Sequence, residues 1–101
     1  MTDFKPTSSQ TRRLLGAVSC LTFRPMTDND FAAFAGAEAD AEIAFCGGDL
    51  AEVLSEITGE AILTEGGDSI AVICSGTHIE ISAVTPDLDP VAIGLDLQML
   101  G

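Results

Sequence analysis

The sequence predicts an α+β domain: a small mixed β-sheet of about five to six strands with two short helices on one face, in the order β-α-β-α-β-β-β-β. Three observations carry this expectation. Two segments repeat apolar residues at helical spacing between capping residues and glycines. Other runs either alternate or stay apolar over strand-like lengths. Turn signals at Gly66-Gly67-Asp68, Ser75-Gly76 and Pro86 to Pro90 divide the C-terminal part as a meander would be divided.

Residues 1–13 (MTDFKPTSSQTRR) are polar, contain Pro6 and show no helix or strand period, so they read as a basic arm. Residues 14–101 then form a single domain. Leu14 to Arg24 (LLGAVSCLTFR) suits a buried strand, ended by Pro25, which biases Arg24 toward extended backbone. Arg12-Arg13 running on to Ala17-Val18-Ser19-Cys20 has the outline of a twin-arginine leader with a lipidation box. Ala17 stands where that box needs a bulky aliphatic, and the apolar run continues past the cysteine to Phe23, so the strand is preferred.

A first helix follows. Thr27 and Asp28 are candidate N-caps, Phe31, Phe34 and Ala35 keep helical spacing, and Gly36 suits the stop. Ala39, Ala41, Ile43 and Phe45 alternate with Glu38, Asp40 and Glu42, the mark of a strand with one acidic face. After Gly47-Gly48, Asp49 and Glu52 have capping-box spacing, Leu50, Val53, Leu54 and Ile57 form an apolar stripe, and Gly59 ends the second helix. Glu60 to Glu65, Ser69 to Cys74 and Thr77 to Val84 read as three strands, the middle one apolar on both faces as a central strand would be. Val91, Ile93, Leu95, Leu97 and Met99 alternate with smaller or polar residues and predict a last strand over 91–100, with a helix as the alternative. That strand serves equally well as an interior strand or as an edge open to another chain.

The charge is unevenly placed. The 101 residues carry 16 acids and 4 basic side chains, net -12, yet the mean hydropathy of +0.36 is too high for a disordered chain. Lys5, Arg12, Arg13 and Arg24 all lie within the first 24 positions beside one acid, Asp3, so that stretch is +3. From Pro25 onward there are fifteen acids and no Lys or Arg, with His78 the sole potential cation. Such a body repels phosphate, which excludes direct binding to nucleic acid or to an anionic membrane surface. Solubility, or adaptation to a salty cytoplasm, would by itself account for such acidity.

Catalytic, cofactor and metal signatures are not expected. Cys20, Cys46 and Cys74 form no C-x-x-C pair and stand beside a single histidine, so they read as reduced, buried core thiols. Glu80 shares a strand face with His78 and could orient it as a base, with Cys74 across the turn as nucleophile; a lone histidine beside a turn is better read as a solvated strand residue. Alternating acids on one strand do not wrap a calcium or magnesium ion.

Phe23-Arg24-Pro25-Met26-Thr27-Asp28-Asn29-Asp30-Phe31 resembles the opening of many acyl-CoA N-acetyltransferases. The likeness covers nine residues. It implies a CoA-binding loop of glycines and a basic residue at a helix N-terminus, which the remaining sequence lacks, so strand-to-helix capping is the economical reading.

The expected function is therefore non-enzymatic: an interaction or assembly component, of the kind a virus or mobile element uses, in which a basic arm and an acidic body engage different neighbours. The expected contact residues are Lys5, Arg12 and Arg13 on the arm and Asp40, Glu42, Asp49, Glu52 and Glu56 on the body. Partners would be proteins with a cationic surface, or other copies of the chain. The alternative is an acidic mimic of nucleic acid that inhibits a nuclease or defence complex. Short apolar runs and the absence of a disulfide framework point to the cytoplasm or the interior of an assembly rather than to secretion.

Overall fold

Thr7 opens the first helix, α1 (Ser8–Ser19), with a complete capping box: its hydroxyl accepts from the Gln10 backbone N–H, and the Gln10 side chain accepts from the Thr7 N–H at 2.8 Å. The computed structural model describes residues 7–63 and 70–96. Its remaining elements are β1 (Arg24–Pro25), α2 (Asp28–Ala33), β2 (Glu42–Cys46), α3 (Asp49–Thr58), β3 (Ile70–Ser75), β4 (His78–Val84) and β5 (Pro90–Asp96). The α+β class stands, with one five-stranded sheet and three helices among the described residues.

The first strand expected over 14–24 is largely α1 instead. Leu14, Ala17 and Val18 fall on one helical face and pack into the core, Leu21 just past the helix packs with them, and only Arg24–Pro25 form a strand, as a two-residue edge. Residues 8–13, expected to belong to an irregular arm, are the first turns of this helix. Gly16 lies in its interior, and a methyl group there would meet nothing within 4 Å. Gly16→Ala is expected to stabilise the protein by about 0.5–1 kcal/mol, the helix cost of glycine, as a higher urea midpoint with an unchanged slope.

The sheet order is β1-β2-β3-β4-β5, and every described pairing is antiparallel, where a mixed sheet was expected. The route from β2 through α3 to β3 shows why. Leu63 bonds to Val84 (N–H to O, 2.9 Å), beside the end of the sheet where Cys46 pairs with Ile70. The chain has thus recrossed the sheet before β3 begins, which reverses the sense a plain β-α-β unit would give. Of the strand expected over 60–65, residues 60–62 are not extended in a ladder, Leu63 makes that single bridge, and 64–65 lie outside the described residues, as does the Gly66-Gly67-Asp68 turn.

The other strands follow expectation more closely. β3 is central and buried along most of its length. Gly76 takes φ +62° in the two-residue turn to β4, where a side chain would be strained. β5 is a strand rather than a helix and lies last in the described sheet, with 97–101 outside the described residues. β2 begins at Glu42, not at 39, because Glu38 to Ala41 form a turn closed by the Ala41 N–H on the Glu38 carbonyl at 3.0 Å.

Helices cover both faces of the sheet, not one. On the first face, Leu14 and Val18 of α1 and Leu50, Val53 and Leu54 of α3 pack on Ile70, Val72, Ile79, Ile81 and Ile93. On the second, Phe31 and Phe34 cover Met26, Ile43, Ala71 and Ile73. Alternation puts Ile70, Val72 and Cys74 on the first face and Ala71 and Ile73 on the second, so β3 feeds both cores. α2 is only six residues long and covers the β2–β3 half, leaving His78 and Glu80 of β4 exposed beside it.

Candidate interaction site

The expected contact residues gather on the α1 and α3 side, in part. Arg13 of α1 donates to Glu56 of α3, each side chain 45% exposed. Arg13, Ala17, Cys20 and Leu21 face Asp49, Glu52 and Val53 across a groove of about 500 Å3 between the helices. Asp49 and Glu52 are exposed and have no ion-pair partner among the described residues. As first-turn acids they complement the α3 dipole. Asp49 does not cap this helix as its spacing suggested. The N-cap is Gly48 at φ +61°, with no side-chain bond, while Gly59 ends the helix in the expected left-handed conformation.

Arg12 is exposed on α1 without an ion pair among the described residues, and Lys5 lies outside them. Asp40 stands in the turn before β2 and Glu42 at its first position, both exposed and outside the α1–α3 groove. The acidic strand face expected from Glu38, Asp40 and Glu42 does not form, since only Glu42 is in the strand. Glu38 instead accepts from the Ser75 hydroxyl at 2.6 Å.

Arg24, the remaining basic residue of the described chain, is held within the fold. It donates to Asp30 at 2.7 and 3.4 Å and lies 5.8 Å over the Phe45 ring, which is otherwise exposed. Asp30 also accepts from the Thr27 N–H, and Thr27 accepts from the Asp30 N–H, so the segment that resembled an acetyltransferase opening is a capping box with an added arginine. The Arg24 guanidinium first, then the Thr27 N–H, lower the Asp30 carboxyl from 3.8 to about 2. Because the folded value lies below the unfolded one, this stabilisation is complete above 3.8 and disappears as the pH falls from there toward 2. Asp30→Asn is expected to lose less stability than the parent between about pH 5 and about pH 2 in urea titrations. An equal loss would remove Asp30 from the acid response.

Cys74 and His78 are not brought together. Cys74 points to the first face, where its thiol donates to the Gly76 carbonyl at 3.7 Å, while His78 lies on the second face opposite Ser75 in register. His78 Nε2 meets Glu80 Oε1 at 3.0 Å. The thiols are not uniformly buried: Cys20 is exposed, Cys46 and Cys74 are half-buried, and burial pushes the Cys46 thiol up. Among the described residues, no group of three or more His, Cys, Asp or Glu side chains is placed to hold a metal ion, and no helix is long and apolar enough to cross a membrane.

Sequence reasoning missed the Arg13–Glu56 pair, which joins residues 43 positions apart. The Thr7 to Gln10 capping signal would have put Arg13 on a helix, though not against Glu56. In comparisons with known proteins, no family model, no curated sequence and no solved structure matches this chain.

Proposed function

We propose that the chain is a non-enzymatic interaction protein whose acidic α3 surface docks on a cationic surface of a protein partner. One observation carries the reading. Glu56 takes its cation from Arg13 of the same chain, whereas Asp49 and Glu52, on the groove that Arg13 lines, have none among the described residues. A partner that supplies Lys or Arg there would complete a charge pattern that the fold leaves half matched. Among the described residues, Arg12, exposed on the adjoining helix, is the arginine left to engage a neighbour, including another copy of the chain.

This pattern suits a component of a larger assembly. It equally suits an inhibitor that covers the nucleic-acid-binding surface of a nuclease or defence complex, because such a surface is itself cationic.

Carboxyl-to-amine cross-linking of complexes isolated from cells that produce the chain, followed by mass spectrometry, tests the site. Links from Asp49 or Glu52 to partner lysines are expected, and the complex should weaken as salt is raised. A chain recovered only as a monomer, or cross-links confined to other carboxylates, would defeat the proposal.

A further inference from the structure

The second face of the sheet carries a groove that the α3 surface does not use. It is about 370 Å3 in volume, bounded by residues 34–38 on one side and by His78 and Glu80 on the other, with Ile73, Ser82 and Ala92 also lining it. This is the size of a small-ligand site. Its apolar lining comes from Phe34, Ala37, Ile73 and Ala92, and its polar side chains are the carboxylates of Glu38 and Glu80 together with His78, Ser75 and Ser82.

The hydrogen bonds already made decide this. The Ser75 hydroxyl is spent on Glu38 Oε2, which leaves Oε1 without a donor among the described residues. A carboxylate can only accept, so His78 Nε2 carries the proton shared with Glu80 Oε1. Glu80 Oε2 and the Ser82 hydroxyl add two more acceptors. Among the described residues, neither Lys nor Arg lines the groove.

Gly94 sets the position of the pair. It faces Glu80 in register, and a methyl group there would come within 3.1 Å of His78 Cε1 and 3.3 Å of Glu80 Oε1. The bare Cα lets the imidazole lie along the sheet and reach Glu80.

We propose that this groove binds a free small organic cation, a primary ammonium or guanidinium group on a short aliphatic chain. The donor-rich head meets acceptors on both walls, Glu38 on one side and the His78–Glu80 pair on the other, and the chain lies on Phe34, Ile73 and Ala92. This face is opposite the one that carries α3, so the inference stands apart from the protein-docking proposal.

Agmatine titrated into the ¹⁵N-labelled full chain is the test, with pentanamide and pentanoate as uncharged and anionic counterparts. Saturable amide shifts are expected within 34–38, 73–82 and 92–94, with pentanamide and pentanoate weaker by at least about tenfold. Glu38→Gln, Glu80→Gln and Gly94→Ala should each weaken agmatine binding by about tenfold, whereas Asp49→Asn with Glu52→Gln should leave it unchanged. Equal response to pentanoate, undiminished binding by the Gln variants, shifts confined to α3, or no saturation would each overturn the proposal. So would a Gly-Gly-Arg-Gly peptide binding more than about tenfold tighter than agmatine, because that would make the occupant a protein side chain.

Discussion

Leu54→Ala is expected to lower the unfolding free energy by about 3 kcal/mol, the middle of the range for emptying a well-packed leucine site. Leu54 is fully buried on α3, among Leu14, Val18 and the first-face residues of β3 and β4. Both the lost transfer energy and the residual cavity contribute, because helices on one side and a sheet on the other limit collapse into the space. In a domain of this size the loss corresponds to a fall in Tm of about 12–20 °C, with the protein still folded at room temperature. Urea titration with an unchanged slope is the check, and a loss below about 1 kcal/mol would mean that α3 is not docked as described. Ile57→Ala, one turn later and only partly buried, should cost clearly less.

Reversing Asp49 and Glu52 together to Lys should reduce binding of the cationic partner by on the order of 100-fold, because two attractions become two repulsions. The fold itself should lose only about 1 kcal/mol. Both positions are exposed, and the cost arises from placing cations at the positive end of the α3 dipole. Asp49→Asn with Glu52→Gln separates the two effects, removing attraction without adding repulsion, and should weaken binding by roughly tenfold. The salt dependence of the remaining affinity should flatten in the same order. A reversed protein that is folded and still binds normally would leave the α3 proposal without support.

Parts of the fold were legible because local physics decided them. The stripe Leu50, Val53, Leu54, with Gly59 after it, has one good solution, and so does a strand apolar on both faces such as Ile70 to Cys74. Leu14 to Phe23 has two. Its Val, Cys, Thr and Phe suit a strand, yet Leu14, Ala17, Val18 and Leu21 also form a helical face, and the capping box at Thr7 and Gln10 tips the balance from outside the run. The sense of the strands was hidden for a different reason. Whether the chain after α3 recrosses the sheet depends on the connection between Thr58 and Ile70, whose residues Glu60 to Glu65 read as a strand without showing which end of the sheet they lead to. The candidate site was legible in its charges but not in their pairing. Spacing could show that α3 carries acids at 49, 52 and 56, whereas only the packing of α1 decides that Glu56 is the one neutralised.

The strands stack in the order in which they occur in the chain. Each new strand therefore adds to the free edge left by the one before, and no strand must be inserted between two already paired. The last two pairings, β3 with β4 and β4 with β5, close over short loops, which favours their rapid formation, and the order permits growth from the N-terminal side during synthesis. The same ordering gives β4 a waiting period. Until Pro90 to Asp96 arrive, Ile79, Ile81 and Ala83 belong to an open edge, and a chain that stalls there would offer another molecule the place reserved for its own last strand.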